Sequence, residues 1–118
     1  MLLRDNLYHV IAQDGSSYTI RFNAEHPVFA GHFPNYPIVP GACLVQIAED
    51  LLSEHLNRAV TFTAIHNLKF RQPVYPDKDI ILGLKKGESL NTFIFQFSIS
   101  NSLNASFSAS YMCLDTDV

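Results

Sequence analysis

The sequence predicts an α+β fold in which an antiparallel sheet wraps around one long helix. Three observations carry this expectation. One stretch, residues 42–58, has convincing helical patterning. Two short strand-like runs precede it, joined by an Asp-Gly turn. Beyond residue 59 the chain is alternating, β-branched or aromatic throughout. Strands gathered around a lone buried helix pack most simply as a sheet over that helix.

The first strand is expected at "LYHVIA", 7–12. "QDGSS" then turns, with Asp-Gly supplying the positive-φ position, and "YTIRFN", 18–23, completes a hairpin. "AEHPVFAGHFPNYPIVPG", 24–41, is too punctuated by proline and glycine for a regular element. Its Val28, Phe29, Phe33, Ile38 and Val39 still require it to pack onto something. Pro40 suits a helix start, where its missing N–H would be unpaired anyway. Ala42, Leu44, Val45, Ile47 and Ala48 leave almost no polar face in the first two turns of the helix. Its N-terminal half is therefore expected to be wrapped by sheet, and the half carrying Ser53, Glu54 and Asn57 to emerge. "AVTFTAIHNLKF", 59–70, is a long strand ended by the two prolines of "RQPVYPDKD". "IILGLKK", "NTFIFQFSIS" and "NASFSASYMCL" follow as strands. Phe93, Phe95, Phe97 and Ile99 alternate on one face, as do Ala105, Phe107, Ala109, Tyr111 and Cys113.

The 118 residues read as a single domain, with room for one hydrophobic core. Eight Lys and Arg against eleven Asp and Glu leave a net charge of −3, which argues against a nucleic-acid-binding stripe. Charged residues are only 16% of the chain, so some surface is expected to be hidden in a partner, most simply a second copy in a homodimer. Cys43 and Cys113 do not make a disulfide framework and read as small core hydrophobes in a reducing compartment. The opening "MLLRDNLYHV" lacks a signal-peptide pattern, and no apolar run reaches membrane-span length, so a soluble, cytoplasmic protein is expected.

Among five histidines, His32 is the sharpest candidate for chemistry. It lies between Gly31 and Phe33 in a loop stiffened by Pro34, Pro37 and Pro40, eight residues before the helix start. Desolvation there would keep it neutral, as a general base must be. The competing reading is a buried histidine bonded to loop backbone. Gly41 would place a free N–H and the positive end of the helix dipole beside a ligand carbonyl. That is a natural oxyanion site for a thioester. The competing reading is a glycine serving only the turn after Pro40. His55 with Glu49, Asp50 and Glu54 suggests a metal at first sight, but Glu54 and His55 are adjacent rather than a turn apart. No metal and no cofactor are expected.

"GHFPNYPIVPGACLVQ" resembles the signature of the bacterial 3-hydroxyacyl-acyl-carrier-protein dehydratases. That signature is His-Phe-Pro-Gly-x-Pro-x-x-Pro-Gly, followed by a helix bearing Glu or Asp. "LKFRQPVYPDKDIIL", 68–82, resembles a second segment of the same family. The resemblance implies a hot-dog fold. It implies His32 as the base that takes the α-proton of a 3-hydroxyacyl thioester, and the Gly41 N–H as holder of the thioester carbonyl. It also implies a helix acid contributed by the other subunit, a hydrophobic acyl tunnel, with Phe33, Pro40 and Cys43 as substrate contacts, and acyl carrier protein as partner through its phosphopantetheine arm. The chain departs from the pattern where it matters most. Fourteen residues after His32, at the position of the acid, stands Gln46. An amide can hydrogen-bond the 3-hydroxyl but cannot donate a proton as an acid does. Glu49 and Asp50, three and four residues on, point to the same side. Asn35 and Asp77 stand where the family has glycine.

Three readings follow. The chain dehydrates a carrier-bound 3-hydroxyacyl thioester to the trans-2-enoyl thioester, in fatty-acid or polyene-type synthesis. Alternatively it is a weakened or inactive dehydratase-like subunit that binds carrier-linked acyl chains, or pairs with an active homologue as a heteromer. The third reading is a thioesterase on the same fold.

Overall fold

The computed structural model describes residues 4–31 and 37–114. His32 and Phe33 lie outside the described residues. Among the described residues, two helices and six strands follow in the order β1 (Tyr8–Asp14), β2 (Ser17–Phe22), α1 (Val28–Gly31), α2 (Gly41–Leu56), β3 (Val60–Phe70), β4 (Ile80–Lys86), β5 (Thr92–Ile99) and β6 (Ser102–Cys113). The strands make one antiparallel sheet in the order β1-β2-β4-β5-β6-β3. The architecture is the one expected, a long helix laid on an antiparallel sheet.

The expected alternation sets the core. Phe93, Phe95 and Phe97 of β5 and Ala105, Phe107 and Ala109 of β6 are buried, while Gln96 between them is exposed. Phe95 pairs with Phe107 across the strands, and their rings stack at 5.0 Å between centroids and 26° between planes. Phe62 of β3 closes the cluster, 5.4 Å from the Phe95 ring and 6.2 Å from that of Phe107. On the helix, Leu44, Ile47, Ala48, Leu51 and Leu52 form the buried stripe. Asn57, left-handed at φ 54°, ends α2, and the N–H groups of Asn57 and Arg58 close on Glu54 and Ser53 carbonyls.

Two expectations are corrected. Residues 28–31 form a short helical turn where no regular element was expected. His26 Nδ1 accepts from the Val28 N–H, Pro27 offers its carbonyl to Ala30, and the buried Phe29 anchors the turn to the core. The first turn of α2 is also less covered than its composition implied. Ala42 is exposed, and Gly41, Cys43 and Val45 are half-buried. A single sheet covers one stripe of a helix, so apolar residues around the rest of the first turn stay open within one chain. The C-terminal half emerges as expected, with Glu54 and His55 exposed.

The edges and irregularities of the sheet also matter for function. β3 is an edge strand, with Ile65, Leu68 and Phe70 exposed. Its register against β6 slips twice, once beside Asn67 in the left-handed region at φ 55°. On β6 the register slips between the pairs Phe97–Ala105 and Ser98–Leu103. Asn104 is thereby an extra residue, so that it and Ala105 are buried side by side. Among the described residues no helix is long and apolar enough to cross a membrane.

Truncating the stacked ring tests this core. Phe95→Ala should cost about 3–5 kcal/mol in urea unfolding, the range for a buried phenylalanine whose cavity does not collapse.

Candidate active site

The helix start and the segment after β3 build one side of the candidate site. Pro40 is the residue capping α2, and its carbonyl accepts from Cys43 and Leu44 N–H at 2.9 and 3.3 Å. No side chain caps this helix, and the Gly41 and Ala42 N–H groups find no acceptor among the described residues. N–H groups at a helix start are ones that a ligand or water can take up. Beside them opens a largely apolar cavity of about 270 Å³, lined by Ile38, Pro40, Gly41, Leu44, Phe70 and Val74 among others.

Long-range bonds fix both walls of this cavity. The Val39 N–H donates to the Val74 carbonyl at 2.7 Å. The Arg71 and Gln72 N–H groups donate to the Asn104 carbonyl, and Asn104 Nδ2 donates to the Pro73 carbonyl at 3.1 Å. The bulge in β6 thus clamps the segment that follows β3. Gly41 is closely packed as well as placed at the turn. Its φ is not positive, but a Cβ there would lie 2.5 Å from Cζ of the Phe70 ring. The ring fills the space that a side chain would take. Pro40 borders the cavity, whereas Cys43 packs half-buried against the core, and burial pushes its thiol pKa up.

Gln46 faces a different space. It is five residues beyond Gly41, about 140° around a helix with 3.6 residues per turn. With Glu49, Asp50, Ser53, Glu54, Arg4 and Asp5 it lines a second cavity of about 570 Å³. Gln46 Nε2 donates to Glu49 Oε1 at 3.1 Å and to Asp50 Oδ1 at 3.0 Å. Glu49 Oε2 accepts from the Phe62 N–H of β3 at 2.8 Å. Asp50 Oδ2 accepts from the hydroxyl of Tyr8, a fully buried β1 residue, at 3.2 Å. Burial first, and then the Asp50 charge and hydrogen bond, hold the Tyr8 phenol far above its ordinary range. Arg4 pairs with Glu54 at the rim. The expectation that Glu49 and Asp50 share a side with Gln46 is met by direct contact. Within one chain, Gly41 and Gln46 serve separate cavities.

The family model of the ApeI-like dehydratases matches residues 10–109. The chain belongs to the ApeI-like dehydratase family. Among curated relatives, the 3-hydroxyacyl-[acyl-carrier-protein] dehydratase FabZ of Thermotoga neapolitana is 41% identical over 71 residues, covering 56% of this chain and 52% of the relative. The enzyme of the same name from Brucella ovis is 33% identical over 93 residues, covering 72% of this chain and 59% of the relative. The chain spans about half the length of the curated relatives it matches. Of solved structures, the dehydratase heterocomplex ApeI:P from Xenorhabdus doucetiae matches with a TM-score of 0.71 at 19% identity, over 87% of this chain and 93% of that one. A protein of unassigned function from Erwinia carotovora subsp. atroseptica matches with a TM-score of 0.69 at 22% identity, over 97% and 98%. At these identities the likeness carries the fold, which is the hot-dog fold.

Sequence reasoning did not single out Phe70, Asn104 or Tyr8 for the site. The "LKFRQPV" segment was a visible signal for Phe70. Asn104 and Tyr8 act through contacts remote in sequence, and nothing local marks them.

Two outcomes follow. Gly41→Ala should cost about 1–3 kcal/mol from overpacking against Phe70. That cost should fall below about 0.5 kcal/mol in a Phe70→Ala background, as a double-mutant cycle in urea would read. Tyr8→Phe should cost about 1.5–3 kcal/mol at neutral pH, the range for a hydrogen bond to a charged group. Because Tyr8 has a raised pKa when folded, its contribution is complete below the ordinary phenol pKa near 10. It is lost as pH rises above that value, where only the unfolded phenol ionises. Denaturation at neutral pH and at about pH 11 should therefore show a shallower alkaline loss in Tyr8→Phe than in wild type.

Proposed function

We propose that this chain, as one hot-dog domain, eliminates water from a 3-hydroxyacyl thioester presented by acyl carrier protein, giving the trans-2-enoyl thioester. The observation that carries the proposal is the uncapped start of α2, where the Gly41 N–H opens on an apolar cavity in a chain of dehydratase family. An N–H at the positive end of a helix dipole stabilises an enolate oxygen as it forms. The apolar cavity suits an acyl chain. His32, nine residues before Gly41, is the proposed base, with Phe33 and Pro40 flanking the substrate. Gln46 holds the position of the family acid as a group that orients the 3-hydroxyl.

Because Gly41 and Gln46 serve separate cavities in one chain, we take the working site to be shared between two chains. The apolar edge of β3 and the open first turn of α2 are surfaces such a pairing would cover. The partner is a second copy in the simplest case. A second reading is favoured by one observation: Gln46 replaces the acid, so a homologue carrying that acid could complete the site. The Xenorhabdus neighbour is itself a heterocomplex.

The purified chain should convert a 3-hydroxyacyl carrier protein to its enoyl product, followed by mass spectrometry of the carrier. His32→Ala should lower kcat about 10²- to 10⁴-fold. Wild-type rates in His32→Ala would remove the base assignment. Turnover that is absent in wild type and appears in Gln46→Glu would establish the second reading instead.

A further inference from the structure

The amide of Gln46 has two N–H groups and one carbonyl oxygen, and its neighbours decide which end faces the ligand. Both contacts on its nitrogen side are carboxylate oxygens, Glu49 Oε1 and Asp50 Oδ1. A carboxylate only accepts, so rotating the amide by half a turn would set its oxygen against two acceptors. The carboxylates are themselves held from two sides. The Phe62 N–H of β3 fixes Glu49, and the Tyr8 hydroxyl of β1 fixes Asp50. Both N–H groups are thereby committed. The remaining polar atom is Oε1, which has no partner among the described residues and belongs to a side chain lining the 570 Å³ cavity.

We infer that Gln46 presents a hydrogen-bond acceptor of fixed polarity, with Glu49 and Asp50 as its positioning residues, and that this selects acyl chains bearing a 3-hydroxyl over their 3-oxo counterparts. The inference rests on the dehydratase reading and adds to it a rule of substrate choice. A 3-hydroxyl donates to Oε1. A 3-oxo group has no proton to donate and meets acceptor with acceptor, leaving both oxygens desolvated and unpaired. An unsubstituted chain leaves Oε1 alone without a partner. The same polarity removes Gln46 as proton donor to the departing oxygen. In this chain the position grips the hydroxyl but does not protonate it.

Binding tests this without turnover. The probes are 3-hydroxyoctanoyl, 3-oxooctanoyl and octanoyl pantetheine, with an amide in place of the thioester, titrated calorimetrically into the assembled protein. Wild type should bind the hydroxy probe about tenfold or more tighter than either of the others. Glu49→Gln/Asp50→Asn, which offers the amide donors as well as acceptors, should bring the hydroxy and oxo probes within about twofold of each other. The single variants Glu49→Gln and Asp50→Asn should fall between, and they serve if the double variant does not fold. Equal binding of hydroxy and oxo probes by wild type would overturn the fixed polarity while leaving the dehydratase reading intact. An unchanged preference in the folded variants would overturn the positioning role. Binding of none of the probes, together with a blank enoyl assay, would overturn both.

Discussion

The rotation of α2 about its own axis is the constraint on which the candidate site depends. Leu44, Ile47, Ala48, Leu51 and Leu52 face the phenylalanine-rich side of the sheet, and burying them there fixes the helix in place. Once that stripe is down, every other position on the helix has its direction. Gly41 falls toward Phe70 and the segment clamped by Asn104, and Gln46 falls toward β1 and the start of β3. The two groups that the resemblance to the dehydratase signature singles out, Gly41 and Gln46, are separated by packing geometry.

The polar network on the Gln46 side obeys a second constraint. Glu49 and Asp50 are half-buried carboxylates within reach of a common neighbour, and a carboxylate removed from water needs donors. The Phe62 N–H and the Tyr8 hydroxyl supply one each, and the amide of Gln46 supplies one to both. A carboxylate at position 46 would instead set a third acceptor against these two and could reside there only by holding a proton. The amide and the two acids downstream are therefore mutually consistent choices, and the replacement at 46 is better understood with its neighbours than alone.

Most of the fold was legible in the sequence because the signals are local. The alternation of Phe93, Phe95 and Phe97 declares a strand with one buried face, and the Asp-Gly turn declares the hairpin ahead of the helix. The helical turn at Val28–Gly31 was not legible, because proline and glycine punctuation hides a turn held by His26 and Phe29. The coverage of the helix start was misjudged for another reason. Composition reports that a surface is apolar, not which chain covers it. Of the candidate site, His32, Gly41 and Gln46 are assigned from spacing and resemblance alone, whereas the kinship of Glu49 and Asp50 with Gln46 follows from helical periodicity and is met by direct contact. The structure describes Gly41 and Gln46, while His32 lies outside the described residues. Tyr8 and Asn104 were out of reach, since each touches the site across more than 30 residues of chain.

Phe70 joins these constraints. Its ring sits where a Gly41 side chain would be, so it helps shape the cavity at the helix start. The same residue ends the edge strand and is 52% exposed, with Ile65 and Leu68 further along that edge. A second chain paired along β3 would therefore press on a wall of the cavity. The open first turn of α2 lies beside the same cavity, so covering it and narrowing the cavity would be one event. In the proposed shared site, pairing and site formation would be linked, because the exposed apolar edge of β3 is continuous at Phe70 with the apolar lining of the cavity.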